Sequence, residues 1–354
     1  MAGTQNRYRA AVIGLGFIGA GDEVSAAAIG QNVAGLGGSV HADVLAAHPR
    51  TLLCAGANRD EGKRERFLKR FGGRPAAYAD WRRMLEAEKP DIVGIAVNSP
   101  VHAEIAVACA EAGVRALVCE KPIATRLSDA DRMIDACAAH GTLLAVNHNR
   151  RWHPVYLEAR RRIASGALGE LRTVWMRWVM GRFGCVGTHA FDSVCMVTDR
   201  RPVAVQGELD MTGTPDCRGA SFRDPGGWGT VLFEGGVRAH VDAGEDNPKP
   251  SGMEFRIEGT LGRMVLRDAG FTLQPWSGGP EETYACPPGT VTLRGCVDEV
   301  VRWLDQGGTF SSRGEEARAD LEIIMGFHAS HARGGTKTAL PLSGVDRDLE
   351  VAIG

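Results

Sequence analysis

Arg9-Ala-Ala-Val-Ile-Gly-Leu-Gly-Phe-Ile-Gly19 decides how this chain is read. Arg9 to Ile13 is a short apolar run of strand length. Gly14, Gly16 and Gly19 follow it as G-x-G-x-x-G. In that pattern the first glycine allows a tight reversal, and the second lets backbone N–H groups approach a pyrophosphate. The third lets the next helix pack close to the strand. A helix N-terminus there would add unpaired N–H donors and a positive dipole end. The turn residues Gly14, Gly16, Phe17, Ile18 and Gly19 are therefore the expected dinucleotide-binding turn. A glycine-rich turn with no ligand is the alternative.

Downstream the expected helix does not start cleanly. Residues 21 to 38 are rich in Gly, Ala and Ser, and helical periodicity resumes only at Ser39-Val-His-Ala-Asp-Val-Leu-Ala-Ala-His-Pro49. About twenty residues look inserted, more than ordinary connections use. The segment reads either as a surface excursion or as a flap beside the cofactor or substrate.

Thr51 to Ala57 is the second strand, and Asn58-Arg-Asp60 ends it where a ribose-reading residue belongs. An acidic group there suits the 2′-hydroxyl of NAD, and an arginine suits the 2′-phosphate of NADP. Asn58 and Arg59 tilt the expectation toward NADP over NAD. Asp60 can instead cap the helix Glu61 to Phe71. Trp81 to Glu88 is helical up to Pro90, and Asp91 to Val97 is a continuous apolar strand. Asn98 and Ser99 stand at its carboxyl end, where ligands bind in open α/β sheets. His102 opens the next helix, closed by Gly113, and is placed with them on the cofactor side. His41, His48 and His102 are not expected to bind substrate or metal.

Ala116 to Cys119 is another strand and runs straight into Glu120-Lys-Pro122. Lysines rarely sit so close to buried strands without a partner. Lys121 reads as a side chain aimed into the cofactor crevice, with Pro122 fixing the turn. A salt bridge to Glu120 is the bland alternative. Ser128 is the expected cap of the helix running to His140, and Leu143 to Val146 is the last strand of this half.

Composition sets the outer bounds. The 354 residues suffice for two domains, and 44% apolar with 24% charged residues is an ordinary globular balance. A formal charge of −2 points to neither a polyanion nor a membrane surface as partner. The polar stretch Met1 to Arg9 lacks a signal-peptide core, so a cytoplasmic location is expected. The nine cysteines contain no C-x-x-C pair and read as reduced thiols, and no metal site emerges.

Three motifs together, Gly14-Leu-Gly-Phe-Ile-Gly19, Glu120-Lys-Pro122 and Asn149-Arg-Arg-Trp-His-Pro154, resemble the Gfo/Idh/MocA oxidoreductases. Ile163-Ala-Ser-Gly-Ala-Leu-Gly169, Ile257-Glu-Gly-Thr-Leu-Gly262 and the helix Asp320 to Ala332 with Leu340-Pro341 extend the resemblance nearly end to end. It implies an α/β fold: a Rossmann domain with a doubly wound parallel sheet over residues 1–147, then an α/β domain over 148–354 with a large, mostly antiparallel open sheet. The runs Leu171 to Val179, Val203 to Met211, Gly229 to Phe233, Val237 to Asp242, Phe255 to Glu258, Arg263 to Arg267 and Phe271 to Pro275 agree with such a sheet. Homodimers or homotetramers are implied, because an open sheet of that size usually covers its exposed face.

The resemblance also implies roles. Lys121 matches the catalytic lysine, and Glu120 stands beside it at the cofactor. His189 matches a substrate-site histidine in a D-x-x-x-H-x-x-D pattern, here Cys185 to Asp192, with cysteine in the first acidic position. Asp192 lies one helical turn on and is expected to orient His189. Hydride would pass between the nicotinamide of NAD or NADP and a secondary alcohol or ketone of a sugar, cyclitol or related polyol. Lys121 and His189 would bracket the reacting oxygen. Arg150 and Arg151 are the best substrate-binding candidates; His148, Trp152, His153, Arg177, Trp178 and Arg182 read mainly as structural. Two rivals share the motifs: a lyase or glycosidase with a tightly bound NAD and transient oxidation, and a non-catalytic dinucleotide-sensing protein.

Overall fold

A computed structural model describes residues 7–36, 38–179, 181–212, 222–244 and 252–353. In chain order the elements begin β1 (Tyr8–Ile13), α1 (Phe17–Ala20), α2 (Glu23–Ala28), α3 (His41–Ala47), β2 (Thr51–Ala57), α4 (Glu61–Arg70), β3 (Ala76–Tyr78) and α5 (Trp81–Glu88). Then come β4 (Ile92–Ile95), α6 (His102–Glu111), β5 (Ala116–Cys119), α7 (Leu127–His140), β6 (Leu143–Val146), α8 (Pro154–Ala164), β7 (Leu171–Arg177) and α9 (Gly187–Thr198). The rest are β8 (Pro202–Asp210), β9 (Gly226–Phe233), β10 (Arg238–Ala243), β11 (Glu254–Gly259), β12 (Gly262–Arg267), β13 (Gly270–Pro275), β14 (Glu282–Ala285), α10 (Thr292–Gln306), α11 (Gly314–Ala332) and β15 (Thr338–Ala339). They form two compact units. One holds residues up to 124 with 129–149 and 291–315; the other holds 125–128, 150–290 and the residues from 316 on.

The first unit is built on a six-stranded parallel sheet of order β3-β2-β1-β4-β5-β6. This is the doubly wound arrangement, and its strand order reverses between β1 and β4. All residues of β4, β5 and β6 are buried, as a parallel sheet covered on both faces requires. The expected strands and helices of this half are present. Several details differ: α7 begins at Leu127, so Ser128 lies inside its first turn rather than before it; β4 spans only Ile92–Ile95; β3 was not expected; and the segment after Gly19 carries structure of its own. There α1 is one turn long and ends at Gly21, whose φ of 65° is left-handed. Asp22 then caps α2 by accepting from the Ser25 N–H. Ala26, Val33 and Val40 bury together against Phe17, so apolar burial holds the insertion to the turn. Helix α4 ties it down further, with Arg66 paired to Asp22.

The second unit carries a nine-stranded sheet, β14-β13-β12-β11-β7-β10-β9-β8-β15. Every neighbouring pair is antiparallel except β7 with β10. Burial alternates along β10 and β11, so one face is packed and the other open. Trp178, Phe183, Phe191 and Phe327 pack around one another in the core of this unit. On the open face Trp175 and Trp228 remain about half exposed, and His240 stacks on Trp175. Among the described residues no helix is long and apolar enough to cross a membrane.

Candidate functional site

In the first unit the carboxyl ends of β1, β2, β4 and β5 carry the candidate cofactor residues. Gly14 has φ 99°, and a Cβ there would lie 2.4 Å from the Ala96 carbonyl oxygen. A Cβ on Gly19 would lie 1.8 Å from the Gly14 carbonyl oxygen. Both glycines are therefore demanded by the turn. Gly16 differs, because the nearest atoms to a Cβ there are Ser25 Oγ at 3.9 Å and Lys63 Nζ at 4.0 Å. Backbone at Gly16 thus faces open space beside an ammonium group, an arrangement that admits a phosphate. The helix that follows is only the four residues of α1, so its dipole is small, and Phe17 turns into the insertion's apolar cluster. Ile18 is half-buried.

At the end of β2, Asn58 Oδ1 accepts from the Asp60 N–H at 2.9 Å, and Asp60 Oδ1 accepts from the Lys63 N–H at 2.8 Å. Asp60 is thus the cap of α4, committed to a structural bond. Arg64 donates to the carbonyls of Asn58 and Arg59. Arg59 itself is exposed. The β2 end presents arginine and lysine with no acidic group at the ribose-reading position.

After β4, Asn98 is exposed and Ser99 is buried at the start of a 3₁₀ turn leading into α6. His102 is fully buried. Its Nδ1 lies 3.1 Å from the carbonyl oxygens of both Pro122 and Ile123, and its Nε2 lies 3.0 Å from that of Val97. Burial pushes its pKa below the ordinary imidazole value. His102 therefore fastens the segment after Lys121 to the end of β4.

Glu120 and Lys121 follow β5 directly. Glu120 is 8% exposed, and its Oε1 accepts from His41 Nε2 at 2.9 Å and Asn147 Nδ2 at 2.7 Å. Burial works against its charge, yet the hydrogen bond and charge of His41, the Lys121 ammonium and Asn147 together hold its pKa at about 2. It is a carboxylate at any working pH. His41 reaches it from α3, and room for the ring exists because residue 94 is glycine: a Cβ there would lie 2.8 Å from His41 Nδ1. The residue numbers 41 and 120 gave no sign of this pair.

In the second unit the arginines after β6 are held by carboxylates. Arg150 donates from Nε and Nη2 to Asp268 at 2.9 and 2.8 Å, and from Nε to the Tyr156 hydroxyl. Arg151 Nε donates to Asp192 Oδ1 at 2.6 Å. Burial disfavours the Arg151 charge, but Asp192 more than restores it. Asp192 is wholly buried on α9, one turn beyond the half-buried His189. Asp320, on α11, is pushed well above the carboxylate range by burial and then by Asp192, so it is a neutral acid. Cys185 stands where a carboxylate was expected, but Asp224 supplies one nearby, accepting from the N–H groups of Gly184 and Cys185, each at 2.6 Å. Asp224 and Asp320 escaped the sequence reading, because each lies far along the chain from its partners. Trp178 is a core residue, with Nε1 donating to the Gly181 carbonyl. Arg177 lies 3.9 Å from Asp242.

The glycine turn, the 3-2-1-4-5-6 strand order and polar groups at the strand ends define a dinucleotide-binding α/β protein. Residues 8–148 match the Gfo/Idh/MocA family, described as an oxidoreductase family with an NAD-binding Rossmann fold. A D-apiose dehydrogenase of Paraburkholderia graminis is 41% identical over 92 residues, 26% of this chain and 24% of the relative. A D-xylose 1-dehydrogenase (NADP(+)) of Haloferax volcanii is 26% identical over 78% of this chain and 89% of its own. The chain spans 24% to 41% of the length of several curated sugar and inositol dehydrogenases it matches. A levoglucosan dehydrogenase in complex with NADH and levoglucosan has the same fold, with a TM-score of 0.78, 19% identity, and coverage of 95% of this chain and 100% of that one.

Proposed function

We propose that the chain is an NAD(P)-dependent oxidoreductase. It moves a hydride between the nicotinamide and a secondary alcohol or ketone of a sugar, cyclitol or related polyol. The observation that carries this reading is Lys121 at the carboxyl end of β5, in the same sheet edge as the open turn at Gly16. Hydride transfer needs a group that takes or gives the hydroxyl proton. Lys121 is assigned that role, with Glu120 holding the strand end and keeping a negative charge near the ammonium. Gly14, Gly16, Phe17, Ile18 and Gly19 form the phosphate turn, with Asn98, Ser99 and His102 shaping the adjoining strand end. His189 is the second proton-handling candidate. Arg150 and Arg151 act on substrate through the structures they brace, since both guanidinium groups are engaged by carboxylates.

NADP is the favoured cofactor. Its support is the uncharged Asn58, the exposed Arg59 and the Lys63 ammonium near the turn. Two copies pair through the open sheet face that exposes Trp175 and Trp228, and light scattering of the purified protein reads this directly. Mass spectrometry of retained nucleotide, followed by an absorbance screen against sugars and cyclitols, tests the reaction. Turnover without added nicotinamide would move the reading to the lyase or glycosidase rival. Binding without turnover across the panel would move it to a sensor. Arg59→Ala is expected to weaken NADP about tenfold, roughly 1.4 kcal/mol, and to leave NAD unchanged. Equal effects on both would overturn the NADP assignment.

A further inference from the structure

His153 occupies the N-cap position of α8, yet its side chain makes no capping bond. Its ring instead meets a thiol: Cys286 Sγ lies 3.8 Å from His153 Nε2. Cys286 follows β14, and its N–H donates to the Ala269 carbonyl at 2.9 Å, so its backbone is fixed by the sheet. The Pro287 carbonyl and the Thr290 hydroxyl, each 3.6 Å away, complete the polar surroundings of the sulfur. The other ring nitrogen, His153 Nδ1, is buried with no hydrogen-bond partner among the described residues. Burial lowers the His153 pKa, with Asp268 opposing and Arg150 assisting, which favours the neutral ring; in the tautomer with hydrogen on Nδ1, Nε2 has a lone pair to accept a proton.

Six other described thiols are pushed up by burial. Burial pushes Cys54 up to about 11 and Cys137 up to about 12. It pushes Cys109, Cys119, Cys195 and Cys296 up as well. A raised pKa leaves those thiols unreactive, although Cys54 and Cys195 are, like Cys286, only part-buried. Cys286 is only part-buried and faces an imidazole.

We propose that Cys286 is an oxidation site, a thiol activated by His153 for attack on a hydroperoxide. His153 Nε2 takes the thiol proton, and the thiolate attacks the distal peroxide oxygen. The S–O bond forms as the O–O bond breaks. The leaving hydroxide or alkoxide takes the proton back from the imidazolium. Sulfur is oxidised to sulfenic acid, and the peroxide is reduced to water or an alcohol. Nothing in this step draws on the dinucleotide site, so it stands apart from the oxidoreductase reading.

The test treats the intact chain with hydrogen peroxide and dimedone and maps the adduct by peptide mass spectrometry. The adduct is expected on Cys286, forming about tenfold faster in the folded chain than in the same chain in denaturant. Half-burial alone would slow a thiol, so acceleration on folding requires the neighbouring base. His153→Gln is expected to remove that acceleration, and His153→Asn serves if the first variant fails to fold. A Cys286 no faster folded than unfolded, or equally fast without His153, overturns the proposal.

Discussion

Two buried carboxyl groups, Glu120 in the first unit and Asp320 in the second, have opposite charge states. Burial raises the pKa of both, and their partners decide the outcome. Glu120 meets donors: His41, Asn147 and the nearby Lys121 ammonium. Asp320 meets another carboxylate, Asp192, whose charge Arg151 already balances. One cation supports one anion, and the second acid keeps its proton. Depth in the core therefore says little about charge; the count of donors within reach says most of it.

The largest effect should come from removing the cation of the second cluster. Arg151→Met takes the paired cation from Asp192 and should cost about 3–5 kcal/mol in chemical denaturation. A loss below about 1 kcal/mol would mean that the cluster is hydrated and the contrast is illusory.

Glu120→Gln comes next, at roughly 2–3 kcal/mol near neutral pH. The folded pKa lies below the ordinary 4.5, so the stabilisation is fully present above 4.5 and disappears as pH falls toward about 2. Melting curves of wild type and variant should therefore converge on acidification through that window. A gap that stays constant with pH would show that Glu120 is not a carboxylate with a depressed pKa.

The smallest effect belongs to Asp320→Asn. Its raised pKa contributes stability below the ordinary 3.8, and that contribution is lost as pH rises through the folded value. An amide copies the neutral acid, so the variant should lie within about 1 kcal/mol of wild type and gain on it at alkaline pH. A loss that grows with pH would reverse the assignment.

Much of this fold could be read beforehand, because its deciding features are local. The apolar runs Asp91 to Val97 and Ala116 to Cys119 have the continuous hydrophobicity of buried parallel strands, and the glycine turn follows its strand at once. In the second unit, alternation exposed most strands of the large sheet. Strand β14 escaped because Glu282 to Ala285 lie at the sheet edge, mostly exposed and without alternation. The insertion was legible as extra length, but its helix was not, since Gly and Ala carry almost no period. Charge pairings such as His41 with Glu120 or Arg151 with Asp192 depend on which helix packs where, and no local pattern encodes that. Arg150 and Arg151 accordingly looked available for substrate, whereas each is braced by a carboxylate.

The central claim is that a dinucleotide on the glycine turn works with Lys121, and Lys121→Met tests it most directly. Nicotinamide fluorescence gives cofactor affinity, and absorbance gives turnover on the polyol that wild type accepts. The account predicts an affinity within about threefold of wild type and a turnover lower by at least ~10²–10⁴-fold. Undiminished turnover, or a wild-type chain that binds neither NADP nor NAD, would contradict it.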